Sequence, residues 1–274
     1  MGSVFLAEDE RLQRKVAIKR LAITGHPIGM QQWIARFERE AVEMASIQHT
    51  NIASVHDFGR DEEGLYLVTE YLPGGSLAEK MRYGKLPVSR AVKILLPLTE
   101  ALQVMHDRKR VHRDVKPSNI LFDAYGIPKL ADFGMVKLLE PKHRSTLTDT
   151  NITVGTPAYM APELIDGEIS PAVDQYAMTV VFYEMVTGNR PYIGPTPMAT
   201  LIMQRYALQP DPLELNPDLP EWVCQVIKKG MAKAPEQRFD SLRSFGDALR
   251  KQSTFAYQEE STAYVPQPDE KGSD

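Results

Sequence analysis

Cysteine is nearly absent from this sequence: Cys224 stands alone among 274 residues. A single thiol excludes an internal disulfide, points to a reducing compartment and leaves Cys224 a packing role on a core helix. Long hydrophobic runs are missing as well. Nothing approaches the roughly 18 consecutive apolar residues that span a bilayer, and the longest candidate, 177–186, includes Glu184 and reads as a buried core helix. The N-terminus carries no signal-peptide pattern. Met1-Gly2 hints at a myristoylation site, but Leu6 stands where that motif wants Ser or Thr. Basic excess is the third absence. A net charge of −4 and a pI near 5.9 argue against a nucleic-acid-binding module, while leaving room for a local basic pocket. The chain as given is expected to be soluble, with no membrane segment.

What remains is ordinary globular composition, 43% apolar and 25% charged, enough to bury a sizeable core in one bilobed domain or two small ones. No internal repeat is present. Alternation predicts strands over 2–8 and 14–21, joined by the charged turn Glu8-Asp9-Glu10-Arg11. In the second strand Val16 and Ile18 face one way, Ala17 and Lys19 the other. Helical spacing of Trp33, Phe37, Ala41 and Met44 predicts a helix over 30–47. Glu40 falls on that inward stripe and needs a partner, because an unpaired buried carboxylate is costly. Two more strands are expected near 52–58 and 65–71, and Pro73-Gly74-Gly75 then breaks the chain. Helices follow over 87–107, bent at Pro97, and over 174–187, 197–206, 220–231 and 241–250. The polar end beyond about 253 predicts a disordered tail. Strands first and helices after suggest two lobes with a hinge near 70–75.

The strongest chemical signal is His112-Arg113-Asp114-Val115-Lys116-Pro117-Ser118-Asn119. Five fixed positions match by chance in a chain of this length with odds on the order of 10⁻⁴. Asp132-Phe133-Gly134 follows, then Ala161-Pro162-Glu163 and Asp174, with Val16-Ala17-Ile18-Lys19 upstream. In this order the motifs resemble the signatures of the protein kinase family, over roughly residues 2–250. Arg36-Phe37-Glu38-Arg39-Glu40 and Gly155-Thr156-Pro157 look like the eukaryotic-like serine/threonine kinases of bacteria.

The resemblance implies an α+β bilobed kinase fold: a small antiparallel sheet with one helix as N-lobe (1–72), a larger, mainly helical C-lobe (73–252), and the tail 253–274. It implies transfer of the ATP γ-phosphate to protein Ser or Thr hydroxyls, with ATP and Mg²⁺ as cofactors, protein substrates as partners and a role in bacterial signalling. Asp114 would orient the hydroxyl and accept its proton. Lys116 would neutralise charge on the moving phosphoryl group. Asn119 and Asp132 would hold Mg²⁺, a hard cation wanting oxygen. Lys19, held by Glu40, would bind the α- and β-phosphates. Val4, Ala17 and Leu121 would wall the adenine, with Thr69 as gatekeeper and the backbone of Glu70 and Leu72 supplying hinge hydrogen bonds. His112 and Phe133 would stack with Met44 and Val55 to tie the lobes. Glu163 and Arg238 match a structural ion pair, and Asp174 an anchor for the catalytic loop. Ser118 is a spacer in this pattern.

The family's phosphate loop reads G-x-G-x-x-G-x-V, and only Gly2-Ser3-Val4 matches its end. The fold is thus expected without its first strand and most of the glycine-rich loop, which makes strand 2–8 an edge and Met1 an internal methionine. Arg113 beside Asp114 goes with activation by a phosphorylated loop, and Thr148 and Thr150 form the Thr-x-Thr spacing that bacterial relatives autophosphorylate. Two other readings remain open here: a kinase-fold scaffold with impaired ATP binding, and a small-molecule kinase, although the latter lacks the Gly155 to Glu163 segment. The place of action would be cytoplasmic, either for the chain itself or as the cytoplasmic domain of a longer anchored protein.

Overall fold

The alternating segments pair as two antiparallel hairpins. β1 (Ser3–Asp9) lies against β2 (Arg14–Leu21), with Val4 opposite Lys19 and Leu6 opposite Ala17. β3 (Val55–Asp61) lies against β4 (Gly64–Glu70), and β2 joins β4 to give the order β1-β2-β4-β3. In this computed structural model residues 3–21, 30–132 and 157–251 are described. Gly2, Phe133, Gly134, Thr148, Thr150, Gly155, Thr156 and the tail lie outside them. β1 is an edge, as expected, and exposes Val4, Phe5 and Leu6. Helix α1 (Met30–Ala45) covers the sheet by burying Phe37 and Ala41 against Leu21, Leu65 and Leu67. Burying each such large side chain contributes about 1.5–3 kcal/mol.

The third strand departs from expectation, beginning at Val55 rather than near 52. Residues 51–53 are drawn away to β6 (Pro128–Leu130): Ala53 N–H donates to the Leu130 carbonyl at 2.8 Å and Leu130 N–H to the Asn51 carbonyl at 2.8 Å. Asn51, 7% exposed, adds an Nδ2 bond to the Pro128 carbonyl at 2.8 Å. The turn His49-Thr50-Asn51 and the two residues after it therefore fasten the sheet lobe to the hairpin of β5 (Ile120–Phe122) and β6.

At the hinge, Gly74 N–H donates to the Phe122 carbonyl at 2.8 Å and Phe122 N–H to the Gly75 carbonyl at 2.9 Å. A Cβ on Gly74 would lie 2.5 Å from the Asp123 carbonyl oxygen, so only glycine allows this approach. A capping box, Ser76 with Glu79, then starts α2 (Leu77–Lys80).

The second lobe is built on α3 (Val88–Asp107), which continues through Pro97, and on α4 (Ala172–Thr187). Helix α4 is buried nearly all round, as the apolar run 177–186 predicts for a core helix. Around them lie α5 (Pro197–Tyr206), α6 (Glu221–Gly230) and α7 (242–251), sharing one core of which Leu98, Leu102, Tyr176, Phe182, Ile227 and Phe245 form the centre. The predicted Glu163–Arg238 pair is present and bidentate, at 2.7 and 2.8 Å. Arg238 gives its remaining donors to the carbonyls of Ala172, Ala232 and Lys233, so all five guanidinium N–H groups are used.

Candidate active site

The site forms where the loop after α3 meets the end of β6. Asp174, wholly buried at the start of α4, is the anchor. Its Oδ2 accepts from His106 Nε2 and from the His112 N–H, each at 2.8 Å, and its Oδ1 from the Arg113 N–H at 2.7 Å. Burial pushes the Asp174 carboxyl up, but the His106 hydrogen bond and charge and the His112 contacts outweigh it and leave the group below its ordinary range. This grip holds Arg113 at a φ of +66°, a left-handed conformation unfavourable for a side chain of that size. The sequence marks Asp174 as loop anchor but does not mark His106. Its only signal is a histidine in the last turn of α3.

His112 is fully buried; its Nδ1 accepts the Asp114 N–H at 3.3 Å and its Nε2 lies 3.2 Å from the Ala131 carbonyl. That pattern requires the neutral Nε2–H tautomer, consistent with burial holding the imidazole below its ordinary value. Met44 packs against the cores of both lobes. Phe133 lies outside the described residues.

Asp114, Lys116 and Asn119 converge. Lys116 Nζ lies 2.9 Å from Asp114 Oδ2. Asn119 Nδ2 donates to the same oxygen at 2.8 Å and to the Asp114 main-chain carbonyl at 2.8 Å. Both hydrogens of the Asn119 amide are therefore committed, and its Oδ1 accepts no hydrogen bond among the described residues. Ala131 N–H donates to the Asn119 carbonyl at 2.9 Å and so places Asp132 beside it. Asp132 has a φ of +58° and a side chain 39% exposed. The Asp132 carboxylate and the Asn119 amide oxygen are both oxygen donors, the type that a hard divalent cation takes.

Lys19 corrects the expected pairing. Its Nζ lies 2.8 Å from Asp132 Oδ1, whereas the Glu40 carboxylate is 3.9 Å from Arg36, one helical turn back, and a third exposed. The reason is local: Arg36 sits on the same face of α1 at i,i+4, and the left-handed turn at Asp132 brings its carboxylate to β2. Glu40 thus does not hold Lys19 in this arrangement.

The expected adenine walls occupy neighbouring positions. Val4 stands opposite Lys19, Ala17 lies between Leu6 and Thr69 in the sheet, and half-buried Leu121 bridges Ser76. Leu72 is 7% exposed. The Glu70 N–H donates to the Ser54 carbonyl at 2.9 Å, so a base would meet its carbonyl instead. The Glu70 side chain also pairs with Lys129 at 2.9 Å, a contact that sequence spacing does not suggest. Arg113 has a buried Nε with no hydrogen-bond partner among the described residues.

A family model described as protein kinase domain matches residues 1–248. The serine/threonine-protein kinase PknA of Mycobacterium tuberculosis is 39% identical over 91% of this chain and 58% of its own length. The serine/threonine-protein kinase PrkC of Bacillus subtilis is 34% identical over 97% of this chain and 42% of its own. This chain thus spans about half the length of these curated relatives. Among solved structures, the PknI kinase domain of M. tuberculosis superposes with a TM-score of 0.70 at 27% identity, covering 92% of this chain and 91% of that one.

Proposed function

This chain belongs to the protein kinase family, and we propose that it is a serine/threonine protein kinase which transfers the γ-phosphate of ATP to protein hydroxyls in bacterial signalling. The observation that carries this reading is the shared grip of Lys116 and Asn119 on Asp114 Oδ2. It leaves Oδ1, which accepts no hydrogen bond among the described residues, to orient a substrate hydroxyl and take its proton. Lys116 Nζ, held at that carboxylate, meets the transferring phosphoryl group and offsets its charge. The Lys19–Asp132 pair keeps an ammonium and a carboxylate at the mouth of the site, where Lys19 exchanges its carboxylate partner for the nucleotide phosphates. Asn119 Oδ1 and Asp132 would hold Mg²⁺, which neutralises the phosphate oxygens when bound. The carbonyl of Glu70 and the N–H of Leu72 bind the base between Val4, Ala17 and Leu121, with Thr69 behind it. Glu40 stabilises the phosphate-bound position of Lys19 once α1 exchanges its Arg36 contact for that lysine.

Regulation follows from Arg113. A phosphate on Thr148 or Thr150 gives an anion to its guanidinium, whose buried Nε has no hydrogen-bond partner among the described residues. The test is phosphate incorporation from labelled ATP with Mg²⁺, with sites located by mass spectrometry. The wild-type chain labels itself at Thr148 or Thr150, and Asp114→Asn binds ATP by calorimetry yet incorporates nothing. Full incorporation by Asp114→Asn refutes the assignment of the base.

A further inference from the structure

Helix α1 belongs to both lobes. Its middle packs in the sheet lobe through Phe37 and Ala41, while Met44 also touches the core of the second lobe and Ile47, just past its end, is buried there. The last turn of α1 carries no basic residue, although a helix C-terminus favours cations beside its unpaired carbonyls. The cations come from the other lobe. Arg108 Nη1 donates to the Ser46 carbonyl at 3.0 Å, and the Arg110 guanidinium forms an ion pair with the Glu43 carboxylate.

Both arginines sit on a turn that is itself held. The His106 ring and the His112 N–H, which bracket it, meet the same Asp174 oxygen, each at 2.8 Å. Within the turn the N–H groups of Arg108 and Arg110 donate to the Met105 carbonyl at 3.1 and 2.9 Å, and Lys109 takes a φ of +58°. The carboxylate that sets the catalytic loop therefore also sets the point to which α1 is fastened. Glu43 follows Glu40 by three residues, so the two project from neighbouring positions on α1. Fixing Glu43 fixes the rotation of α1 about its axis, and Glu40 has to turn with it. The Arg36–Glu40 contact, at 3.9 Å and a third exposed, is a weak rival that a modest bias overcomes.

We propose that the turn 108–110 is a pivot for α1 and that Arg110 is a positioning residue, holding Glu43 so that Glu40 swings to Lys19 when nucleotide phosphates take Lys19 from Asp132. The proposal rests on the kinase reading above and adds to it the residues that couple α1 to the catalytic loop.

Initial rates with a Thr-containing acceptor peptide give kcat and the KM for ATP and for peptide in wild type, Arg108→Gln, Arg110→Gln, Arg110→Glu and the exchange Glu43→Arg with Arg110→Glu. The Arg110 and Glu43 side chains are 39% and 37% exposed, so these variants should fold, and melting curves check it. Arg110→Gln should raise the KM for ATP about two- to five-fold, the range of a partly exposed pair, and Arg108→Gln about two-fold. Arg110→Glu, which sets two carboxylates together, should raise it about ten-fold, and the exchange should bring it back to within about two-fold of wild type. The KM for peptide should stay constant throughout. A contact that only supports the fold would lower the active fraction, and so kcat, with both KM values unchanged; that result, or no recovery in the exchange, would overturn the pivot. Trp33 lies on α1 against the sheet-lobe core, and in a Trp222→Phe background its emission reports on α1 without turnover. It should shift in Arg110→Glu and return in the exchange. Absence of transfer in every chain with that shift intact would refute the kinase reading alone, whereas an emission indifferent to Arg110→Glu would refute the pivot.

Discussion

Replacing Asp174 by Asn keeps the side chain's shape while removing its charge and one acceptor oxygen. Three donors converge on that carboxylate, the His106 ring and the main-chain N–H groups of His112 and Arg113, at 2.7–2.8 Å. However the new amide turns, its NH₂ faces at least one N–H. One charge-assisted bond, about 1.5–3 kcal/mol, is then lost, and the others fall toward the roughly 0.5–1.5 kcal/mol of neutral bonds. The expected destabilisation is about 2–4 kcal/mol, or a fall in Tm of about 4–16 °C for a domain of this size. Activity should fall further than stability explains. The Arg113 N–H bond holds a φ of +66°, a strained state that relaxes without support, and Asp114 is the next residue. A displacement of about 1 Å at a catalytic group can cost on the order of 100-fold in rate. The KM for ATP should stay near normal, because the hinge and Lys19 lie on other elements. Circular dichroism melts and initial-rate kinetics at saturating Mg·ATP measure both effects. A variant that melts lower but keeps full kcat would refute the link between this carboxylate and the position of Asp114.

Two further outcomes follow from buried charge. Burial holds the His112 imidazole below its ordinary value of 6.5, so the unfolded chain binds a proton that the folded chain resists. The stability present above about pH 6.5 should therefore decline as the pH falls below it, and Asp174, also held low, extends the loss into the carboxylate range. Urea titrations at descending pH check this, with His112→Asn flattening the upper part of the slope; an unchanged slope in that variant would count against it. Arg238→Met leaves the Glu163 carboxylate, 4% exposed, without a counter-charge and should cost about 3–5 kcal/mol in urea unfolding. Glu163→Leu with Arg238→Met should recover only part of that, since three carbonyls still lack their donor; full recovery would mean those bonds contribute nothing.

Much of this protein was determined by sequence alone. Alternation in 14–21, helical spacing in 30–47 and the apolar run 177–186 set the sheet, its covering helix and the buried core helix, because apolar patterning is a local property of the chain. The spacing from His112 to Asn119 likewise placed base, lysine and amide in one turn, since residues so close along the chain cannot be far apart in space. Tertiary structure decided which charges meet. The i,i+4 spacing already offered Arg36 to Glu40, but Lys19 took a carboxylate turned toward it by the backbone at Asp132, a choice that no pattern around Lys19 contains. The same holds for His106 on Asp174, Lys129 on Glu70 and Arg110 on Glu43, partners 59 to 68 residues apart. Such contacts depend on how rigid elements pack, and one polar side chain among many carries no mark of its partner until the core around it has formed.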